Sequence, residues 1–252
     1  MSVVLAAHPL ALTLEVLAVI TSACYGILLA RRNGFDLVGI YTLALLIAFG
    51  GGTLRDLFLD RHPLFWVANP SYPFLVFWLA LASTRIRELG RIFPSWLEGF
   101  DALALGLYTA SGVQAGLAAG TDWFVACLLG VIAGCFGGVT ADLMTGQVPR
   151  LFRGRTPIYA TASMLGGALM VAATVLNLPP PWPAVFGVVA VSVIRLLALR
   201  YDWHLPEVHD PDQGIDDGVQ ERTDERTAAA EPDPPRVPNA TDQTPSADSS
   251  TH

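Results

Sequence analysis

The sequence predicts an all-α integral membrane protein, with seven transmembrane helices arranged as an inverted 3+3 repeat followed by one further helix. Three observations lead there. The 252 residues are 52% hydrophobic and only 15% charged, with a mean hydropathy of +0.47, whereas soluble domains carry about 25% charged residues. Apolar runs close to the ~20 residues that cross a bilayer recur along the chain. A block of glycines, aspartate and proline occurs twice at one spacing.

The apolar runs place spans at roughly 11–30, 37–59, 71–86, 98–117, 122–145, 157–177 and 182–200. Nothing basic precedes the first, and it is as long as the others, so it reads as a true span rather than a signal peptide. Arginines set the orientation, because basic residues in short loops stay on the cytoplasmic side. Arg31 and Arg32 follow the first span, Arg85, Arg87 and Arg91 the third, Arg150, Arg153 and Arg155 the fifth, and Arg200 the seventh. The alternate loops are nearly bare, with Arg61 between Asp60 and His62 the exception. The expected topology in the plasma membrane is therefore N-terminus out and C-terminus cytoplasmic.

Charge separates the body from a tail. Residues 1–206 hold 12 arginines against 10 acids, and residues 207–252 hold 3 against 12, so the net charge of −7 is a slightly basic body plus an acidic tail. The tail, rich in Pro, Asp, Ser and Thr, lacks the apolar residues needed to form a core and is expected to be disordered. Cys24, Cys127 and Cys135 lie in apolar runs without metal-ligand spacing and read as buried thiols. No metal site, cofactor or nucleic-acid partner is expected.

The duplicated block appears as "FGGGTLRDLFLDRHP" and "CFGGVTADLMTGQVP". Pro63 and Pro149 lie 86 residues apart, and the same spacing pairs Gly51 with Gly137, Gly52 with Gly138, Asp56 with Asp142 and Glu15 with Asp101. It also pairs Gly26 with Gly112, Gly34 with Gly120, and Asp36 with Asp122. Three spans per copy make the second copy enter the bilayer from the opposite side, an architecture that sets a permeation or binding site at the repeat interface. The expected segments are 11–95 and 98–177 for the two repeats, 182–203 for the seventh helix and 204–252 for the tail.

Glycine weakens a helix interior by roughly 1 kcal/mol against alanine. Gly50, Gly51 and Gly52 in the second span, with Gly137 and Gly138 in the fifth, are therefore expected to bend or unwind it, exposing carbonyls to a water-filled path. Close helix packing is the plainer reading of the same glycines. Arg55, Asp56 and Asp142 follow the bends, where a charge costs about 2.5–3.5 kcal/mol and needs a partner or water. A cross-repeat pair between Arg55 and Asp142 would free Asp56 to face a cation, or the roles exchange; a structural or interfacial ion pair is the alternative. Glu15 and Asp101 suit helix N-termini, Asp60, Arg61 and His62 the interface, and Trp66 and Tyr159 aromatic belts.

The pairing of "GGGTLRDLFLDRHPLFW" with "FGGVTADLMTGQVPRLF", followed by "YATASMLGG", resembles the prokaryotic branch of the TRIC (trimeric intracellular cation) channels, a group also labelled a glycine-transporter domain family. The resemblance covers roughly residues 11–203. It implies a homotrimer of seven-helix protomers in membrane lipid, each with a pore lined by kinked helices 2 and 5 and passing monovalent cations, chiefly potassium. Two features depart from the family. The chain has no lysine, so the Lys-Glu-Val element of animal members is missing, and Ala141 stands where the first block has Arg55. A secondary transporter for a small zwitterion such as glycine is the second reading, and a scaffold without transport the third. Enzymatic chemistry is not expected: no nucleophile arrangement or metal cluster is visible, and no phosphate-loop lysine follows the glycines.

Overall fold

The computed structural model describes residues 2–85, 94–152, 158–201 and 203. The acidic tail, and Arg87, Arg91, Arg153 and Arg155 of the basic loops, lie outside the described residues. Eight α-helices are described: α1 (Ser2–Arg32), α2 (Leu37–Phe58), α3 (Phe65–Ala68), α4 (Ser71–Arg85), α5 (Pro94–Ala118), α6 (Trp123–Met144), α7 (Ala160–Val175) and α8 (Trp182–Tyr201). A 3₁₀ turn at Arg150–Phe152 joins α6 to the segment before α7.

All seven expected spans coincide with helices, and among the described residues the short α3 is the one helix not expected. Pro9–Arg32, Leu37–Phe58, Trp123–Met144 and Trp182–Tyr201 are long and apolar enough to cross a membrane, while Ala160–Val175 is apolar but shorter. α4 has only 15 described residues. α5 is long but carries Glu98, Asp101, Thr109, Ser111 and Gln114, which lower its apolarity.

The helix ends follow from local chemistry. Asp36 caps α2 by accepting the Gly39 N–H at 2.7 Å, and Asp122 caps α6 by accepting the Phe124 N–H at 2.9 Å, each satisfying an orphan donor of the first turn. α1 stops at Gly34 (φ 74°) and α5 at Gly120 (φ 78°). At both, the left-handed residue lets the next N–H reach back: Phe35 to the Ala30 carbonyl at 3.0 Å, and Thr121 to the Gly116 carbonyl at 3.1 Å.

The helices pack closely through small residues. A Cβ on Gly26 of α1 would stand 2.8 Å from the Ala44 Cα of α2, and one on Gly112 of α5 would stand 2.7 Å from the Gly130 Cα of α6. These two contacts are the same contact 86 residues apart. α5 is central, touching α1, α6, α7 and α8. One apolar cluster joins α1, α2, α4 and Phe65; a second joins α1, α5, α6, α7 and α8.

The outside is apolar, and the largely apolar inside also holds charges. Val38, Phe74, Trp78, Val175 and Leu176 are exposed, whereas the two largest fully buried side chains are Arg55 and Arg195. A bilayer solvates the first group, and the second must find its partners within the protein.

Candidate functional site

The contact between α2 and α6 brings the two glycine blocks together. A Cβ on Gly51 would run into the Ala133 carbonyl, and one on Gly137 would stand 3.3 Å from the Ile47 carbonyl. Gly51 and Gly137 are 86 residues apart, and so are Ile47 and Ala133, so each helix presents to the other the surface it receives. Gly50 is covered by the Phe136 ring, 2.7 Å from an added Cβ.

The expected unwinding is absent. Both α2 and α6 continue as α-helix through their glycines. At Gly51 the glycine penalty is offset by the close approach of the α6 backbone, which only glycine permits, while Gly50, Gly52 and Gly138 make room for the rings of Phe136, Phe65 and Tyr159. The glycines thus act in packing, and no carbonyl is freed by a break in either helix.

Two charged clusters lie beyond this crossing, one at the C-terminal end of each helix. In the first, Arg55 is 1% exposed. Its Nε donates to Asp56 Oδ1 at 2.9 Å, its Nη1 to Ser111 Oγ of α5 at 2.5 Å, and its Nη2 to Glu15 Oε1 of α1 at 2.9 Å. Asp56 Oδ2 accepts the Phe65 N–H at 2.9 Å, which fixes α3. The guanidinium stands 5.5 Å from the centre of the Phe65 ring, and that ring fills the notch at Gly52.

The second cluster repeats this plan with different residues. Asp142 Oδ2 accepts the Arg150 N–H at 2.7 Å, and the Arg150 Nε lies 3.2 Å from both Asp142 oxygens. Arg150 also donates to Tyr25 Oη of α1 at 2.6 Å and reaches Asp101 Oδ2 of α5 at 3.5 Å. Arg195 of α8 pairs with Asp101 at 3.7 Å and lies 4.6 Å from the centre of the Tyr159 ring. The Tyr159 hydroxyl bonds Asp101 Oδ1 at 3.3 Å and sits in the notch at Gly138. Burial opposes the charge on Arg150, but Asp101 and its other neighbours outweigh burial and hold the pKa above the ordinary arginine value.

Several sequence expectations change. Arg55 pairs with Asp56 and Glu15, and Arg150 engages Asp142, so the cross-repeat Arg55–Asp142 pair does not form. The reason is distance along the chain: the second arginine is not at Ala141 but in the loop, eight residues after Asp142, where the 3₁₀ turn folds it back. Glu15 and Asp101 are not at helix starts, because α1 begins at Ser2 and α5 at Pro94. Tyr159 is 6% exposed and belongs to the second cluster rather than a belt. Trp66 is turned inward, donating to Thr53 Oγ1 at 3.0 Å and stacking on Phe49. Asp60 and His62 are exposed and pair with each other at 3.3 Å.

Arg195, Ser111 and Tyr25 were not singled out from sequence, and Arg150 counted there only as a topology signal. Tyr25 and Ser111 are 86 residues apart and both take an arginine hydrogen bond, but their side chains differ, so matching identical residues misses them. Cys127 and Cys135 are buried and Cys24 is partly so, all as free thiols.

An all-helical membrane protein with its charges gathered inside, at the ends of two mutually packed helices, is the class that fold and site define. A family model described as "Glycine transporter" matches residues 12–87 and again residues 98–174. The chain belongs to this family, and to the wider TRIC family with which its fold is shared. It is 32% identical over 194 residues to the UPF0126 inner membrane protein YadS of Escherichia coli, covering 76% of this chain and 92% of the relative. It is 33% identical over 184 residues to a UPF0126 membrane protein of Vibrio cholerae, covering 73% and 75%. Among solved structures it resembles the TRIC trimeric intracellular cation channel orthologue from Rhodobacter sphaeroides, with TM-score 0.70, 30% identity, and 77% and 98% of the two chains covered.

Proposed function

We propose that the protein is a membrane channel for monovalent cations, chiefly potassium, with one path per protomer of a homotrimer, running between α2 and α6. The carrying observation is the reciprocal α2–α6 contact, Gly51 on Ala133 and Gly137 on Ile47, with a charged cluster at the C-terminal end of each helix. The solved Rhodobacter sphaeroides relative is described as a trimeric cation channel, and the E. coli relative as an inner membrane protein.

In this reading α1, α2 and α4 form one repeat, α5, α6 and α7 its inverted copy, and α8 the seventh span. Support comes from the double family match, whose starts at 12 and 98 lie 86 residues apart, the spacing that also relates the two glycine contacts. With the N-terminus outside, α2 ends at the outer face and α6 at the cytoplasmic face, so the Arg55 cluster guards the outer mouth and the Arg150 cluster the inner. The glycine crossing between them is closed by backbone contact, and conduction requires α2 and α6 to part there. Gly50, Gly51, Gly52, Gly137 and Gly138 then form the constriction, and Arg55, Asp56 and Asp142 its charged ends.

Purified protein in planar bilayers tests this. Discrete unitary currents in potassium salt are expected. Saturable exchange of labelled glycine without unitary currents would replace the channel with a carrier.

A further inference from the structure

Among the described residues, the charges of the two clusters do not balance alike. The second holds Arg150 and Arg195 against Asp101 and Asp142. The first holds Arg55 alone against Asp56 and Glu15, one negative charge in excess.

The excess can be traced to an atom. Asp56 gives Oδ1 to Arg55 and Oδ2 to the Phe65 N–H. Asp142 gives both oxygens to Arg150. Asp101 gives Oδ1 to Tyr159 and Oδ2 to Arg150 and Arg195. Glu15 gives only Oε1, to Arg55 Nη2 at 2.9 Å, and among the described residues its Oε2 has no partner. Its side chain is also the more accessible of the Arg55 pair, 13% exposed against 1%.

Most of the face of α1 that carries Glu15 is buried, although Leu12 at i−3 is 39% exposed. Glu15 shares a helical stripe with Val19 and Ser22, at i+4 and i+7, which are 0% and 2% exposed. Thr13 and Leu17, two residues away on either side and so on the opposite face, are exposed. Glu15 therefore opens into the bundle, beside the end of α2.

We propose that Glu15, rather than Asp56 or Asp142, selects cations over anions, with its free Oε2 contacting a partly dehydrated monovalent cation at the Arg55 end of the path. The proposal rests on the channel reading and assigns its selectivity. Asp56 has both oxygens engaged by Arg55 and the Phe65 N–H, and Asp142 both by Arg150, so Glu15 carries the unengaged oxygen among the three. A carboxylate in a narrow, poorly solvated mouth concentrates cations and repels anions.

Glu15→Gln is the discriminating variant. The amide oxygen still accepts from Arg55, and Asp56 still neutralises it, so no buried charge is left alone. In bilayers under a potassium chloride gradient, the reversal potential should report a roughly tenfold fall in cation-over-anion permeability, and Glu15→Asp should retain most of the parental ratio. An unchanged ratio in Glu15→Gln overturns the proposal, and so does failure of that variant to assemble, since Glu15 would then be a structural partner of Arg55.

A second measurement needs no current. Exchanging choline for potassium at equal ionic strength should raise the melting temperature of the parental protein and of Glu15→Asp, but not of Glu15→Gln. An equal rise in all three overturns the cation contact. If the parental protein shows no unitary currents, the channel reading fails, and the potassium-dependent melting still decides whether Glu15 holds a cation.

Discussion

Arg55 and Arg195 are each 1% exposed, and a guanidinium so enclosed persists only where carboxylates and hydrogen bonds replace its water. Arg55 is met by two carboxylates, a hydroxyl and an aromatic face. Asp56→Asn leaves the cation with Glu15 but removes the nearer carboxylate, so it should destabilise the protein by about 1.5–3 kcal/mol, the range for a hydrogen bond to a charged group. Asp142→Asn should cost less, because the Arg150 side chain is 26% exposed and keeps Asp101. Thermal unfolding in detergent compares the two. Equal losses would mean that the enclosure of Arg55 adds nothing.

At the scale of elements, the two glycine contacts between α2 and α6 are related but unequal. A Cβ on Gly51 collides with the Ala133 carbonyl, a backbone atom that cannot swing aside, while one on Gly137 meets the Ile47 carbonyl at 3.3 Å, a tight contact that a shift of a few tenths of an ångström relieves. Gly51→Ala should therefore cost roughly 1–3 kcal/mol, as overpacking does, and Gly137→Ala less than about 1 kcal/mol. Melting temperatures of the assembled protein measure the difference, and a larger loss in Gly137→Ala would contradict the contact geometry. The helices themselves were legible in the sequence, because apolar runs are local signals, whereas Asp36, Asp122, Gly34 and Gly120 stand out there only as matches of the repeat and turn out to cap and stop helices. The unbroken course of α2 through three glycines was not. Propensity describes an isolated helix, and here a neighbouring backbone fits where side chains are missing. The charged clusters were half legible. Spacing picked out Arg55, Asp56, Asp142, Glu15 and Asp101, but their pairing depended on a loop that folds Arg150 back and on Arg195 arriving from α8. Neither is encoded at the repeat spacing.

For the whole molecule, the distribution of arginines carries the topology, and it is testable without any transport assay. A cysteine introduced at Asn177, between α7 and α8, should react with a membrane-impermeant thiol reagent from outside intact cells. One at Asn33, between α1 and α2, should react only after permeabilisation. The reverse pattern would overturn the orientation and the assignment of outer and inner mouths. The acidic tail should be dispensable to assembly, since its composition cannot build a core, and truncation after Trp203 should leave the oligomer's size in detergent unchanged. A lost or smaller particle would give the tail a structural role.

The two charged clusters also differ in when they can be completed. Arg55 has Asp56 beside it and Glu15 on α1, both already synthesised when α2 leaves the ribosome. The first two helices can thus enter the membrane with their cation neutralised by residues of their own hairpin. Asp101 has no such provision. It is made before either of its arginines, waits through α6 for Arg150, and gains Arg195 only with α8, the last described helix. Biogenesis is accordingly self-sufficient in the first half and held open in the second, where the final helix closes the charge balance and a chain cut short before it keeps an acid in the bundle without its full set of partners.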